Sequence, residues 1–273
     1  MGGQVIKAHS YKLNMSFLAR TPPIALIYIN DLHNAIKCSK VYHFADDTNL
    51  LQIEKSRRKM QKQVNLDLKS LYKWLLANKI SLNCSKTELI FFHTPGGSVP
   101  DLTIKMNGSR IYPSSYIKYL GVYLDASLNG NHHCNLLVRK LKRANGILSK
   151  ARHYVPSEEL LSIYHAIFSS HLVYGCQIWG QSINIFTEKV FKLQNRAMRI
   201  LSFANFYANA DPIYKMLNIL KLNDTIALQN FQSALTHTFS PLVTSIPLIQ
   251  KTLNWAVFTY HFLQLQNMDL ILS

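Results

Sequence analysis

The stretch "VYHFADDTNLLQI", Val41 to Ile53, sets two adjacent carboxylates, Asp46 and Asp47, between two short apolar runs. The runs read as the arms of a β-hairpin with the acids at its tip. Aspartate is at home in turns because its side chain can accept hydrogen bonds from nearby backbone amides, so the plain reading is a solvated turn. Three features argue for more. The extended flanks would hold the tip rigidly, the turn contains no glycine, and the chain is short of acid. Lysine and arginine total 30 against 14 aspartate and glutamate, a formal net charge of +16. A carboxylate pair on a rigid turn in basic surroundings suits Mg²⁺, which takes oxygen ligands from one or two carboxylates plus substrate phosphates. Two such ions can activate a hydroxyl and stabilise a leaving oxygen in phosphoryl transfer. That chemistry requires a third carboxylate from another strand.

Composition bounds the rest. Apolar residues make up 48% of the 273, too many for a disordered chain, and the length allows one large core or two small ones. A sequence pI near 9.7 points to a polyanion as partner or to a basic but inert surface. Cys38, Cys84, Cys134 and Cys176 lie far apart, which reads as structural thiols in a reducing compartment rather than a disulfide framework. No apolar run reaches the ~18 residues of a spanning helix. The opening "MGGQVI" has Ile6 where a myristoylation motif needs serine or threonine. The expected setting is therefore intracellular, in nucleus or cytoplasm, with no membrane partner.

Along the chain, Ile24 to Leu32 reads as a short helix after Pro22-Pro23. Met60, Val64, Leu68, Leu71 and Leu75 recur at helical spacing and predict a helix over about Ser56–Asn78. "ISLN" (from Ile80) and "TELIFFH" (from Thr87) read as strands. Asn107-Gly108 predicts a type I′ hairpin turn. "YIKYLGVYLD", Tyr116 to Asp125, reads as extended with a bend at Gly121. After Asp125 only helical patterns remain. One runs through Leu137, Leu141, Ala144 and Leu148, a second through Leu160, Ile163, Ile167 and Leu172, and a third through Val190, Leu193, Ala197 and Leu201. Shorter helices are expected near Pro212–Leu220 and Asp224–Thr236. The fold class is α+β, strands with helices first and a helical region second.

Two single-sign stripes mark the helical half. Lys189, Lys192, Arg196 and Arg199 fall on one helix face opposite Val190, Leu193 and Ala197, and Arg139, Arg143 and Lys150 form a similar set. From Asn131 to Arg152 there is no acid at all. Solvated helix faces usually mix signs through i, i+4 partners, so the stripes favour contact with phosphates.

"FADDT" resembles the catalytic box of reverse transcriptases, especially those of non-LTR (LINE-type) retrotransposons. The order of the neighbouring segments extends the resemblance. "LIYINDL" (Leu26–Leu32) is similar to the segment upstream of that box. "YKWLLANKISLNCSKTELIFF" (Tyr72–Phe92) matches the helix, strand and lysine segment downstream, and "YIKYLGVYLD" resembles the primer-grip region. "LLSIYHAIFSSHLVYGCQIWG" and "KLQNRAMRILSF" look like the helical thumb. The resemblance runs from about Pro22 to Phe231 and implies a partial polymerase palm followed by a thumb-like region. It implies that Asp46 and Asp47 bind Mg²⁺, Asp46 the more strongly, and that Lys86 approaches the nucleotide phosphates and protonates the pyrophosphate leaving group. The implied partner is an RNA/DNA template–primer.

The departures are as specific. In the family another palm aspartate lies well upstream on a strand that completes the metal site, and a glycine-rich Pro-Gln-Gly-Ser segment precedes the counterpart of "LIYINDL". The first 21 residues here contain no aspartate or glutamate, and from about Phe239 the chain no longer reads like the family. The expected organisation is a non-family segment 1–21, a partial palm 22–125, a thumb-like region 126–236 and a non-family tail 237–273. The expected function is that of a truncated reverse-transcriptase-like protein without polymerase activity that retains nucleic-acid binding. Two other readings stay open, a non-catalytic nucleic-acid-binding protein derived from such an element and a non-functional pseudogene product.

Overall fold

A computed structural model of the chain describes residues 8–14, 29–44, 47–80, 87–93, 96–97, 101–180 and 184–238. It forms two units, Met1–Leu128 and Asn129–Ser273, the first built on strands and the second on helices, an α+β chain.

In the first unit, β1 (Ala8–Asn14), β2 (Lys40–Phe44), β3 (Asp47–Ile53), β4 (Glu88–Phe91) and β7 (Pro113–Ser114) make a sheet in the order β2-β3-β1-β4-β7. β2 and β3 pair antiparallel with Phe44 opposite Asp47, so the doublet stretch is the hairpin its flanks predict. β1 is the centre of the sheet, antiparallel to both β3 and β4. β3 is therefore paired on both edges, and Thr48 through Gln52 are all buried.

The helix α1 (Arg57–Ala77) starts where Ser56 caps it, its hydroxyl accepting from the Lys59 amide. Met60, Val64, Leu68, Leu71 and Leu75 are all fully buried, as their spacing predicts. They pack with Ile29, Leu32, Leu50, Leu89 and Phe91 into one core. One residue on that face is not apolar. Asp67 is buried and accepts from the backbone amides of Lys37 (3.1 Å), Cys38 (3.2 Å) and Ser39 (2.7 Å). The carboxylate ties the loop before β2 to the middle of α1 and meets three amide donors that would otherwise need water.

Two smaller hairpins complete the unit. β5 (Ile104–Met106) and β6 (Ser109–Ile111) are joined by Asn107 and Gly108, both at positive φ (49° and 78°), the type I′ geometry that Asn-Gly predicts. β8 (Tyr116–Tyr119) and β9 (Val122–Asp125) pair antiparallel through Leu120 and Gly121, again both at positive φ (43° and 84°). This stretch is thus a second tight hairpin rather than one bent strand. Leucine is a poor residue for that backbone, so Gly121 alone signals the turn. The short helix expected at Ile24–Leu32 and the strand expected at "ISLN" fall mostly outside the described residues. The part that is described shows a turn at Ile29–Asp31, a 3₁₀ turn at Leu32–Ala35 and a buried, non-strand Ile80.

The second unit opens with α2 (Asn131–Ala151), followed by α3 (Ser157–Tyr164), a π turn (His165–Ser169), α4 (Ser170–Val173), α5 (Cys176–Trp179), α6 (Asn184–Leu201), α7 (Asp211–Met216) and α8 (Leu222–Thr238). The π turn explains a misread stripe. The buried residues from α3 onward are Leu160, Tyr164, Phe168 and Leu172, strictly four apart, while Ile163 and Ile167 are only half-buried. Spacing by four rotates about 40° per step in a regular α-helix, and a wider π turn absorbs that drift so that all four side chains face one core. Gln194, fully buried on α6, donates to the Leu220 carbonyl and accepts from the Leu222 amide, both at 2.9 Å, and so satisfies the start of α8. Among the described residues no helix is long and apolar enough to cross a membrane.

Candidate functional site

The doublet hairpin places Asp47 at the first position of β3, half-buried and opposite Phe44. Ala45, Asp46 and Lys86 lie outside the described residues. On the other side of Asp47 runs β1, in the register Asn14 to Asp47, Leu13 to Thr48 and Lys12 to Asn49. The sequence of this strand, "AHSYKLN", contains no acid. The central strand beside the hairpin therefore supplies no third carboxylate.

Tyr119 on β8 feels Asp47. Burial raises its phenol to about 12, with the charge of Asp47 and then Tyr42 adding to the effect. A neutral phenol at that position brings no negative charge for a cation. Among the described residues no group of three or more His, Cys, Asp or Glu side chains comes together to hold a metal. The described residues thus do not make the two-ion site that the sequence resemblance implies.

The helical unit offers a different kind of site. A groove of about 490 Å³ lies between α2 and α6 and is lined by Val138, Lys142, Lys189, Lys192, Leu193, Asn195, Arg196, Arg199 and Phe206. Five of these nine residues are cations and none is acidic. Hydrophobic packing brings them together, since Val190, Ala197 and Met198 on the opposite face of α6 are fully buried against α2 and its neighbours. Asn145 on α2 donates to the Leu193 carbonyl at 2.9 Å and fixes the two helices in register. The groove wall is also held in place: the Tyr214 hydroxyl donates to Asn195 at 2.8 Å, and Arg199 donates through Nε to the Ala208 carbonyl at 2.7 Å.

All four members of the stripe Lys189, Lys192, Arg196 and Arg199 line this groove. Arg139, Arg143 and Lys150 are exposed on α2 but do not line it, and the α2 cation that does is Lys142. Lys142 stands four residues after Val138 in the acid-free run, a spacing that puts both on one face. Phe206 has no periodic signal, because it lies in the loop after α6. Among the described residues none of the five groove cations is in an ion pair; the pairs Lys59–Glu54, Arg110–Asp101 and Lys221–Asp211 lie elsewhere. Five like charges gathered without counter-charge repel one another, and an anionic ligand relieves that repulsion.

No family model matches the chain, and no solved structure matches it. It is 28% identical over 163 residues to an RNA-directed DNA polymerase from mobile element jockey of Drosophila funebris, covering 58% of this chain and 18% of that protein. It is 26% identical over 187 residues to the corresponding polymerase of Drosophila melanogaster, covering 67% of this chain and 20% of that protein. It is 27% identical over 155 residues to a retrovirus-related Pol polyprotein from type-1 retrotransposable element R1 4 of Nasonia vitripennis, covering 50% of this chain and 40% of that protein. The chain spans about a fifth of the length of the jockey polymerases. These matches establish its similarity to the RNA-directed DNA polymerases of non-LTR, LINE-type retrotransposons.

Proposed function

We propose that this chain is a reverse-transcriptase-like protein of retrotransposon origin that holds nucleic acid through its helical unit and does not polymerise. In this reading the sheet unit is palm-like and the helical unit thumb-like. The observation that carries the binding half is the groove: Lys142, Lys189, Lys192, Arg196 and Arg199 converge on one concave surface with no carboxylate in its lining. That arrangement suits a chain of phosphates, whose contacts with lysine and arginine are independent of base sequence.

The other half rests on β1. Nucleotide addition through two divalent ions needs carboxylates from more than one strand to hold them. The strand next to Asp47 offers Asn14, Leu13 and Lys12 in register instead.

Two assays on the full chain test the proposal. Fluorescence anisotropy with a labelled duplex or RNA–DNA hybrid should show binding that is insensitive to base sequence and weakens steeply with salt. Primer extension with Mg²⁺ should yield no product. Mg²⁺-dependent extension that disappears in Asp46→Asn would refute the inactive reading and leave the binding reading standing.

A further inference from the structure

We infer that the loop Phe203–Tyr207, at the end of the groove, is a stacking platform for unpaired bases, so that the nucleic acid whose backbone lies in the groove carries a single-stranded segment over the loop. The inference rests on the groove reading above and adds what the bases do.

Three aromatic rings stand in solvent within five residues of one another: Phe203 is 48% exposed, Phe206 58% and Tyr207 88%. Each leaves apolar area in water that a core position would bury. Two of them already carry a guanidinium. Arg196 lies over the Phe206 ring at 5.6 Å from its centroid, and Arg152 lies over Phe203 at 4.7 Å. Phe206 and Tyr207 meet edge to face at 84°, so their open faces point in different directions. Arginines beside exposed aromatic faces are the combination by which proteins hold bases without reading their sequence.

The loop is built to keep its shape. Arg199 donates to the Ala208 carbonyl, and the Ala208 amide bonds the Asn205 carbonyl at 3.0 Å. Phe203 is the most telling position. The Ala204 amide reaches back to the Arg199 carbonyl at 3.0 Å, which closes α6 in the manner of a left-handed C-terminal cap, and Phe203 takes the positive φ of 57° that glycine fills at such caps. An aromatic residue there carries a backbone cost that glycine would not, and its ring is not buried in return. A role for the ring outside the fold accounts for both facts. It also supplies a clean variant, because Phe203→Gly removes the ring while easing the backbone.

The test compares two labelled strands with the full chain at low salt: about 15 thymidines, and an abasic strand of the same length and charge. The thymidine strand should bind about tenfold more tightly, which corresponds to about one stacked base. In the variant Phe203→Gly, Phe206→Ser, Tyr207→Ser that ratio should fall to about one. Irradiating a bromouracil-substituted strand should cross-link the peptide containing Phe206 and Tyr207. Equal affinity of wild-type protein for both strands would overturn the stacking inference and leave the phosphate-binding groove intact. A ratio that persists in the variant would place the base contacts elsewhere and overturn it too. Binding to neither strand nor to duplex would remove the groove reading itself.

Discussion

Asp67 in the sheet unit and Gln194 in the helical unit hold equivalent places, each a fully buried polar residue on the apolar face of a long helix. Asp67 carries a charge and meets three backbone amides. Gln194 is neutral and is matched by one carbonyl and one amide. The contrast extends to the surface. Lys59 pairs with Glu54 at 2.7 Å and Arg110 with Asp101 at 3.1 Å in the sheet unit, and Lys221 pairs with Asp211 at 2.8 Å in the helical unit. In the helical unit five cations share a groove that no carboxylate lines. Bases outnumber acids about two to one in both units, so net charge does not separate them. What separates them is where the acids sit, and that is a better guide to a polyanion site than pI.

The largest difference between the units is expected at the buried polar pair. Asp67→Ala leaves three part-buried backbone amides without their acceptor and should lower the stability of the sheet unit by about 3 kcal/mol. Gln194→Ala should cost the helical unit about 2 kcal/mol, because one donor and one acceptor are stranded. Urea unfolding of the full chain measures both. Equal costs would mean that the charge on Asp67 adds nothing beyond its hydrogen bonds.

Acid should separate the units next. His133 on α2 lies beside Trp179, with ring centroids 6.3 Å apart. Burial, with Lys140 and then His132 adding, pushes its imidazole from 6.5 down to about 4. The unfolded chain therefore takes up a proton in that window that the folded chain refuses. The stability this group contributes is complete above pH 6.5 and is lost as pH falls toward about 4. The helical unit should weaken across that range, and His133→Leu should flatten the dependence. An unchanged profile in the variant would assign the acid sensitivity to another group.

A smaller effect is expected on the outer face of α2. Arg139, Arg143 and Lys150 do not line the groove, so replacing all three with alanine should change duplex affinity by about twofold at most at 0.15 M salt, where exposed charges beyond a Debye length of about 8 Å are screened. A loss as large as that from the groove residues would show that the binding surface wraps around α2.

Much of this was legible in the sequence, and the exceptions have physical causes. The β2–β3 hairpin, the α1 stripe and the Asn107-Gly108 turn all rest on local chemistry, so period and turn residues suffice to find them. β1 could not be read that way. "AHSYKLN" lacks a clean apolar alternation, and its strand state comes from partners on both edges that lie far along the chain. Asp67 looks like a solvated helix acid until the loop at Lys37–Ser39 is seen above it. Lys142 sat within a run already noted for lacking acid, but assigning it to the groove required knowing which face of α2 meets α6. Phe203 and Phe206 belong to a loop and follow no period.

On the proposed function, the helical groove binds a nucleic-acid backbone through its own cations. The most direct measurement is the salt dependence of duplex affinity for the full chain and for the variant Lys192→Ala, Arg196→Ala, Arg199→Ala. Five phosphate contacts predict a slope of log affinity against log salt of about −4.5. The variant should bind more weakly to every sequence alike, with the slope flattened by about 3. A slope near zero in the wild-type chain, or the same slope in both proteins, would contradict binding through the groove cations.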